Sequence, residues 1–325
     1  MQRPSPLLSR RTALAAAVGL AVVGLSACGG SSAGQSAATL TASPSVSAST
    51  SAAPAFPVTV TAANGEVTLA EQPARIVSLS PTATEMLFAI GAGGQVAAVD
   101  DNSNYPAEAP KTKLSAFQPN AEAVAGYDPD LVVFSNDANG LKAALTKLGV
   151  PMLELPAAAT LDDAYAQITT LGQATGRVDD AAKVSQEMKD RIAAAVASVP
   201  ASAKGEKVYH ELDQTYFSVT SSTFIGSVYA QFGLMNIADG AKDASGGYPQ
   251  LSAEYVVTQA PDLIVLADTK CCQQSAATVG KRPGFAGIPA VKNGRVVEAD
   301  DDIASRWGPR AADFAEAIAR ELSGQ

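Results

Sequence analysis

Few residues in this chain are able to do covalent or metal chemistry. Its 325 residues include three cysteines and one histidine. A lone His210 cannot supply the imidazole cluster that bare zinc or manganese takes. A hydrolase needs a nucleophile with a base beside it, and no serine of the globular part stands in an elbow motif. The glycines at 91–94 follow a helical pattern instead of a strand, so they do not read as a phosphate loop. No catalytic residue, metal ligand or cofactor is therefore expected, and the chain does not read as an enzyme.

The reactive residues that do stand out have other uses. Cys271 and Cys272 are adjacent, and in an oxidising compartment they are expected to close a vicinal disulfide that stiffens its loop. Two reduced thiols are the alternative. Cys28 ends the tetrad Leu25-Ser26-Ala27-Cys28, which resembles a bacterial lipobox and makes Cys28 the expected lipidation site. Ahead of it Arg3, Arg10 and Arg11 precede an apolar run at 13–25, too short to span a bilayer and laid out as a secretory leader. Ser9-Arg10-Arg11-Thr12 resembles a twin-arginine signal, and the export route stays open. Residues 1–27 are thus a signal peptide, and 28–56 a lipidated cysteine with a Ser/Ala-rich tether.

Two carboxylates form the most informative pair. Glu122 and Glu254 occupy the same place in AEAVAGYDPDLVVF (121–134) and AEYVVTQAPDLIVL (253–266), a segment written twice, 132 positions apart, without a gap and with seven of fourteen positions identical. That spacing is far longer than a solenoid period of roughly 20–50 residues. It fits two similar lobes. Each copy reads as a short amphipathic helix, a Pro-Asp turn and an apolar strand buried on both faces of a parallel sheet. The fold class that follows is α/β, with two Rossmann-like lobes and a ligand cleft at the carboxyl ends of their strands.

The elements that must position these residues fall into three parts. An amino-terminal lobe covers 57–176, beginning with a hairpin around Asn64-Gly65 and carrying strands at 75–79, 96–99, 131–134 and 152–155. A single long helix within 177–200 joins it to a carboxy-terminal lobe at 201–325, with strands expected at 208–212, 216–219, 263–266 and 295–298 and a final helix at 310–322. One linking helix allows little hinge bending, so a rigid, shallow cleft is expected. Three leader arginines removed from a formal charge of −9 leave −12, which argues against nucleic acid and anionic lipid as partners.

RIVSLSPTATEMLFAIGAG at 75–93, NYP at 104–106 and the first repeat copy resemble the amino-terminal lobe of the iron-siderophore and vitamin B12 class of ABC-transporter substrate-binding proteins. YPQLSAE at 248–254, AVKNGRV at 290–296 and WGPR at 307–310 resemble its carboxy-terminal lobe. The resemblance implies a monomeric lipoprotein, anchored to the outer face of the cytoplasmic membrane, that captures a metal chelate and delivers it to a permease dimer. It makes Glu122 and Glu254 the expected permease-docking residues. Glu85 invites the same interpretation, although the helix macrodipole alone accounts for an acid at a helix start.

Ligand contacts are expected from loops at the strand ends, with Phe117, Tyr216, Tyr248 and Trp307 packing on a flat ligand and Arg306 pairing with an anionic group. Positions where cobalamin binders carry rings hold Asn102, Ser135 and Leu212 or Asp213, which puts a siderophore or haem ahead of cobalamin. The acidic runs Asp100-Asp101 and Asp300-Asp301-Asp302 disfavour catecholates and suit a hydroxamate complex. His210 ends a strand and is open to either a ligand contact or a structural role. A reading of another class is an envelope lipoprotein that serves interaction or sensing without transport.

Overall fold

The computed structural model describes residues 56–324; the leader, Cys28 and the tether up to residue 55 lie outside the described residues. A hairpin of β1 (Val58–Ala62) and β2 (Gly65–Leu69) packs on the helix α4 described below. The amino-terminal lobe then runs through β3 (Ile76–Leu79), α1 (Pro81–Ala89), β4 (Val96–Val99), α2 (Ala121–Ala125), β5 (Leu131–Phe134), α3 (Leu141–Lys147), β6 (Met152–Glu154) and α4 (Leu161–Thr175). After α5 (Val178–Ser198) the second lobe comprises β7 (Lys207–Glu211), α6 (Phe224–Gln231), β8 (Met235–Asn236), α7 (Ala253–Gln259), β9 (Leu263–Leu266), α8 (Ala276–Gly280), α9 (Pro289–Lys292), β10 (Val296–Glu298) and α10 (Ala311–Ser323).

Each lobe is built on a four-stranded parallel sheet, ordered β4-β3-β5-β6 in the first and β10-β9-β7-β8 in the second. The orders correspond when β3 is matched with β7 and β5 with β9. The pairing registers match too: Ile76 faces Leu131, and 132 residues later Val208 faces Leu263. Both copies of the apolar strand are fully buried because successive side chains enter different cores. Leu131 and Val133 join the core on the α4–α5 side, while Val132 and Phe134 join the one under α2 and α3. Leu263 and Val265 divide from Ile264 and Leu266 in the same way. This alternation is the period of two that a strand imposes.

The linking helix α5 packs on α4 in one lobe and α10 in the other. Gly176, left-handed at φ +72°, caps α4 and separates it from α5. On α5, Arg191 reaches Glu316 at 2.8 and 2.9 Å and Asp313 at 2.5 Å, fixing the helix to α10. One apolar core runs continuously from the first lobe through α5 into the second, drawing Met86, Ile168, Ile192, Val228 and Phe314 together. A shared core of this kind opposes free lobe motion.

The strand expected at 216–219 is not formed. Tyr216 has φ +70°, which turns the chain out of the extended region, and only an isolated bridge between Phe217 and Gln250 follows. Helix α1 begins at Pro81, where Ser80 caps it by accepting the Ala83 N–H.

Candidate functional site

The carboxyl ends of the strands in both lobes carry the polar loops. In the first lobe Ser80 follows β3 and Ser135 follows β5, and the Ser135 hydroxyl donates to Ser80 Oγ at 2.8 Å. Deeper in, Thr84 donates to Ser78 at 2.9 Å and lies 2.9 Å from Ser103, which in turn donates to Asp100. Asp100 is 1% exposed, and burial raises its carboxyl above the ordinary value.

In the second lobe Glu211 ends β7 in a fully buried position. Arg282 grips it with two hydrogen bonds of 2.6 Å, and Tyr209 donates to it at 3.0 Å. Asp268 lies just past β9, the neighbouring strand, and is also fully buried. No protein group donates to either of its carboxylate oxygens. Burial, and then the negative charge of Glu211, push its carboxyl up from 3.8 to about 7.

Where the loop after β4 meets the loop after β10, the two lobes are joined by charge. Glu85 of α1 takes Arg306 at 2.8 Å and Arg310 at 2.9 and 2.5 Å. Arg306 also binds Asp302 at 2.6 Å and the Asn102 carbonyl at 3.0 Å, while Asn104 donates to Asp302 at 2.9 Å. Arg310 lies over the Tyr105 ring at 4.2 Å. Lys270 adds a link from the loop after β9 to Asp300 at 2.6 Å and Asp302 at 3.2 Å.

The expected ligand-contact residues divide into two groups. Phe117 and Tyr248 are open, at 74% and 49% exposure, and each stands a few residues before the repeated helix of its lobe. Phe217 and Tyr105 are two further exposed rings, and the Phe217–Gln250 bridge places Phe217 on the same face of its short ladder as Tyr248. Arg306, Trp307 and Tyr216 face inward instead. The Arg306 guanidinium is occupied by Glu85 and Asp302, so it does not await an anionic ligand. The Trp307 indole N–H donates to Gln167 of α4 at 2.9 Å, and the ring packs on the shared core. Tyr216 lies against Phe285 and beneath Arg282. His210 is completely buried beside Tyr229 and Phe314, with its Nδ1 2.7 Å from the Tyr229 hydroxyl and its basicity lowered by burial to about 3. It touches no surface a ligand could use.

Cys271 and Cys272 are free thiols, in contrast to the expected bridge. The Cys271 amide donates to Asp301 at 2.9 Å and the Cys272 amide to the Asp268 carbonyl at 3.2 Å. The second closes one helix-like turn. Burial, the Cys272 side chain and then the carboxylates of Asp301 and Asp268 push the Cys271 thiol up to about 12.

Glu122 and Glu254 are both exposed, each the second residue of its helix, behind a side-chain cap from Asn120 in one case and Ser252 in the other. Two grooves beside α5, of about 730 Å³ between α4 and α6 and about 510 Å³ around Glu85 and Arg191, lie apart from Phe117 and Tyr248.

The partners of Arg306 and Trp307 had no signal in the sequence, being 221 and 140 positions away. Phe217 had one: an aromatic residue directly after a turn, in a loop at a strand end.

The sequence profile of a family described as periplasmic binding protein matches residues 76–303. A cobalamin-binding protein of Halobacterium salinarum is 32% identical over 276 residues, covering 82% of this chain and 74% of its own. An ABC transporter substrate-binding lipoprotein of Bacillus subtilis, itself uncharacterized, is 31% identical over 82% of this chain and 86% of its own. Among solved structures, a possible iron-binding (periplasmic solute-binding) protein from Staphylococcus epidermidis superposes with a TM-score of 0.67 at 26% identity, over 78% of this chain and 99% of its own.

Proposed function

The chain belongs to the periplasmic binding protein family, and from that premise we propose that it captures a large, near-neutral metal chelate and passes it to an ABC permease. The reading is supported by one observation: two rings in strand-end loops are exposed, Phe117 on one lobe and Tyr248 on the other, while the arginines of such loops are already neutralised by buried carboxylates. Rings of this kind supply contact area to a flat or apolar ligand. Arginines held by Glu85 and Glu211 offer little to a strongly anionic one.

The same chemistry narrows the metal complex. Haem iron takes an axial ligand from histidine, a thiolate, methionine or tyrosine. Here the sole histidine is buried, Cys271 is held as a thiol, and burial raises the Tyr248 phenol above its usual range. A chelate that fills its own coordination sphere suits such a site better. Cobalamin and ferric hydroxamates both qualify. Cobalamin leads, because the relative at 32% identity carries that name and because Phe217 adds an exposed ring beside Tyr248 that the linear pattern did not reveal.

Glu122 and Glu254 serve as the permease-docking pair in this reading, since two exposed carboxylates in equivalent positions suit a two-fold partner. Lipidation of Cys28 would hold a monomer at the outer face of the membrane, with lobes at 57–176 and 201–325 joined through 177–200. No helix of the described residues is long and apolar enough to cross a membrane. The test is calorimetric titration of the mature protein with cyanocobalamin, ferrioxamine B and haemin in parallel. Saturable submicromolar binding of cyanocobalamin or ferrioxamine B supports the proposal; binding of haemin alone, or of none by folded protein, rejects it.

A further inference from the structure

The two helices that carry Glu122 and Glu254 are too short to hold their own direction. With five and seven residues, α2 and α7 fall well below the roughly 12–15 residues at which an isolated helix becomes even marginally stable. Packing fixes them weakly as well. Each buries a single side chain fully, Val124 in α2 and Val256 in α7. One fully buried residue, with partly buried neighbours such as Ala121 in α2 and Ala253 and Val257 in α7 and with the Tyr255 hydroxyl on the Ile237 carbonyl at 2.7 Å, leaves the carboxyl end of each short helix some freedom of direction.

What removes the freedom is a second anchor at the carboxyl end, present in both lobes. Arg75, directly before β3, donates from Nε to the Tyr127 carbonyl at 3.1 Å and to the Asp128 carbonyl at 3.2 Å, and from a terminal nitrogen to Tyr127 again at 2.5 Å. Lys207, the first residue of β7, donates from Nζ to the Gln259 carbonyl at 2.9 Å. Lys207 is Arg75 displaced by the repeat distance, and Gln259 is Tyr127 displaced by the same distance. The next residues, Asp128 and Ala260, share a left-handed backbone at φ 48° and 50°. The turn is completed alike on both sides: Asp130 accepts the Arg75 amide at 3.0 Å, and Asp262 accepts the Lys207 amide at 2.9 Å. A cation bound to the last carbonyls of a helix is also favoured by the helix dipole.

We propose that Arg75 and Lys207 are positioning residues for partner docking, setting the direction in which α2 and α7 present Glu122 and Glu254. The inference rests on the docking role assigned above to those glutamates. Neither basic residue is part of the ring-bearing cleft, so ligand affinity is independent of them.

The test uses the double variant Arg75→Met/Lys207→Met, the conservative swap Arg75→Lys/Lys207→Arg, and the charge reversal Glu122→Lys/Glu254→Lys. In the purified protein, amide hydrogen exchange at 124–128 and 256–260 is expected to speed up at least tenfold in the methionine variant and to return towards wild type in the swap. Cells of the native host carrying each full-length variant are then given [57Co]cyanocobalamin or [55Fe]ferrioxamine B, whichever the wild type accumulates. Uptake by the methionine variant should fall at least fivefold, with an unchanged dissociation constant for the same chelate and rescue by the swap. Unchanged exchange overturns the proposal without any transport measurement. Full uptake by the methionine variant, with none by the charge reversal, overturns it while the docking role stands. Full uptake by the charge reversal removes the docking role and the proposal together. Affinity that falls as far as uptake makes the two residues structural and also overturns it.

Discussion

Glu85 of the amino-terminal lobe holds Arg310 of the carboxy-terminal lobe through both carboxylate oxygens, at 2.9 and 2.5 Å, with its side chain only 1% exposed. Arg306 completes the cluster at 2.8 Å. A carboxylate so buried, facing two cations from the other lobe, acts as a fastening between lobes and is not available to a partner. Glu85 therefore does not share the role expected of Glu122.

Replacing Glu85 with glutamine should be strongly destabilising. It leaves Arg310, 15% exposed, without its carboxylate partner and Arg306, 11% exposed, with Asp302 alone. Loss of one partner from a buried pair costs about 3–5 kcal/mol. Urea unfolding should show a lower midpoint by that amount, and a change under 1 kcal/mol would mean the cluster is solvated in solution.

Asp268 makes stability depend on pH. Its carboxyl stands at about 7 in the fold against an ordinary 3.8, so between those values the folded state binds more protons than the unfolded one. The contribution of Asp268 to stability is then greatest below about pH 4 and is lost as pH rises through 7. Asp268→Asn is nearly isosteric and removes the charge. Its advantage over wild type should grow by roughly 2–4 kcal/mol between pH 4 and 8, measured as denaturant midpoints. An advantage that stays constant across this range would show that Asp268 does not titrate there.

Phe117→Ala and Tyr248→Ala should each weaken chelate binding about tenfold, or ~1.4 kcal/mol, a cost typical of a lost aromatic contact. Thermal stability should hardly move, because both rings are largely exposed. Affinity unchanged in both variants, by calorimetry, would place the ligand elsewhere.

Cys271 should react slowly. With the Cys271 thiol pushed up to about 12, the thiolate that attacks Ellman's reagent is scarce at pH 8. Even allowing for its greater intrinsic nucleophilicity, the rate should be about 10²-fold below that of a free cysteine. Stopped-flow absorbance measures it on the mature protein lacking Cys28. No reaction even after denaturation would instead reveal an oxidised pair.

The sequence was most legible where the chain repeats itself. The alignment of 121–134 with 253–266 was enough to anticipate α2 with β5, α7 with β9 and the parallel sheets around them, because helix period, Pro-Asp turn and apolar run are local signals. The same alignment stopped short of Arg75 and Lys207, since a basic residue before a strand looks alike whether its side chain points to water or to a carbonyl 52 positions on. Arg306 and Trp307 were legible as loop residues but not in their use. A guanidinium and an indole attract ligand and protein partners by the same chemistry, and only the packing of the lobes brings Glu85 and Gln167 into reach. Tyr216 failed for a simpler reason: strand propensity was overridden by a left-handed backbone.

The gapless repeat bears finally on how a symmetric partner would read this molecule. Two near-equivalent faces, if met by a dimer with its own two-fold axis, would allow the chain to land in either of two poses. That doubles the number of productive encounters, a statistical gain of about 0.4 kcal/mol, since a factor of ten corresponds to roughly 1.4 kcal/mol. Arginine anchors one face and lysine the other, and asparagine caps one helix where serine caps its counterpart. The two poses are therefore close in energy but not degenerate, and a two-fold receptor would have a preferred way round for its guest.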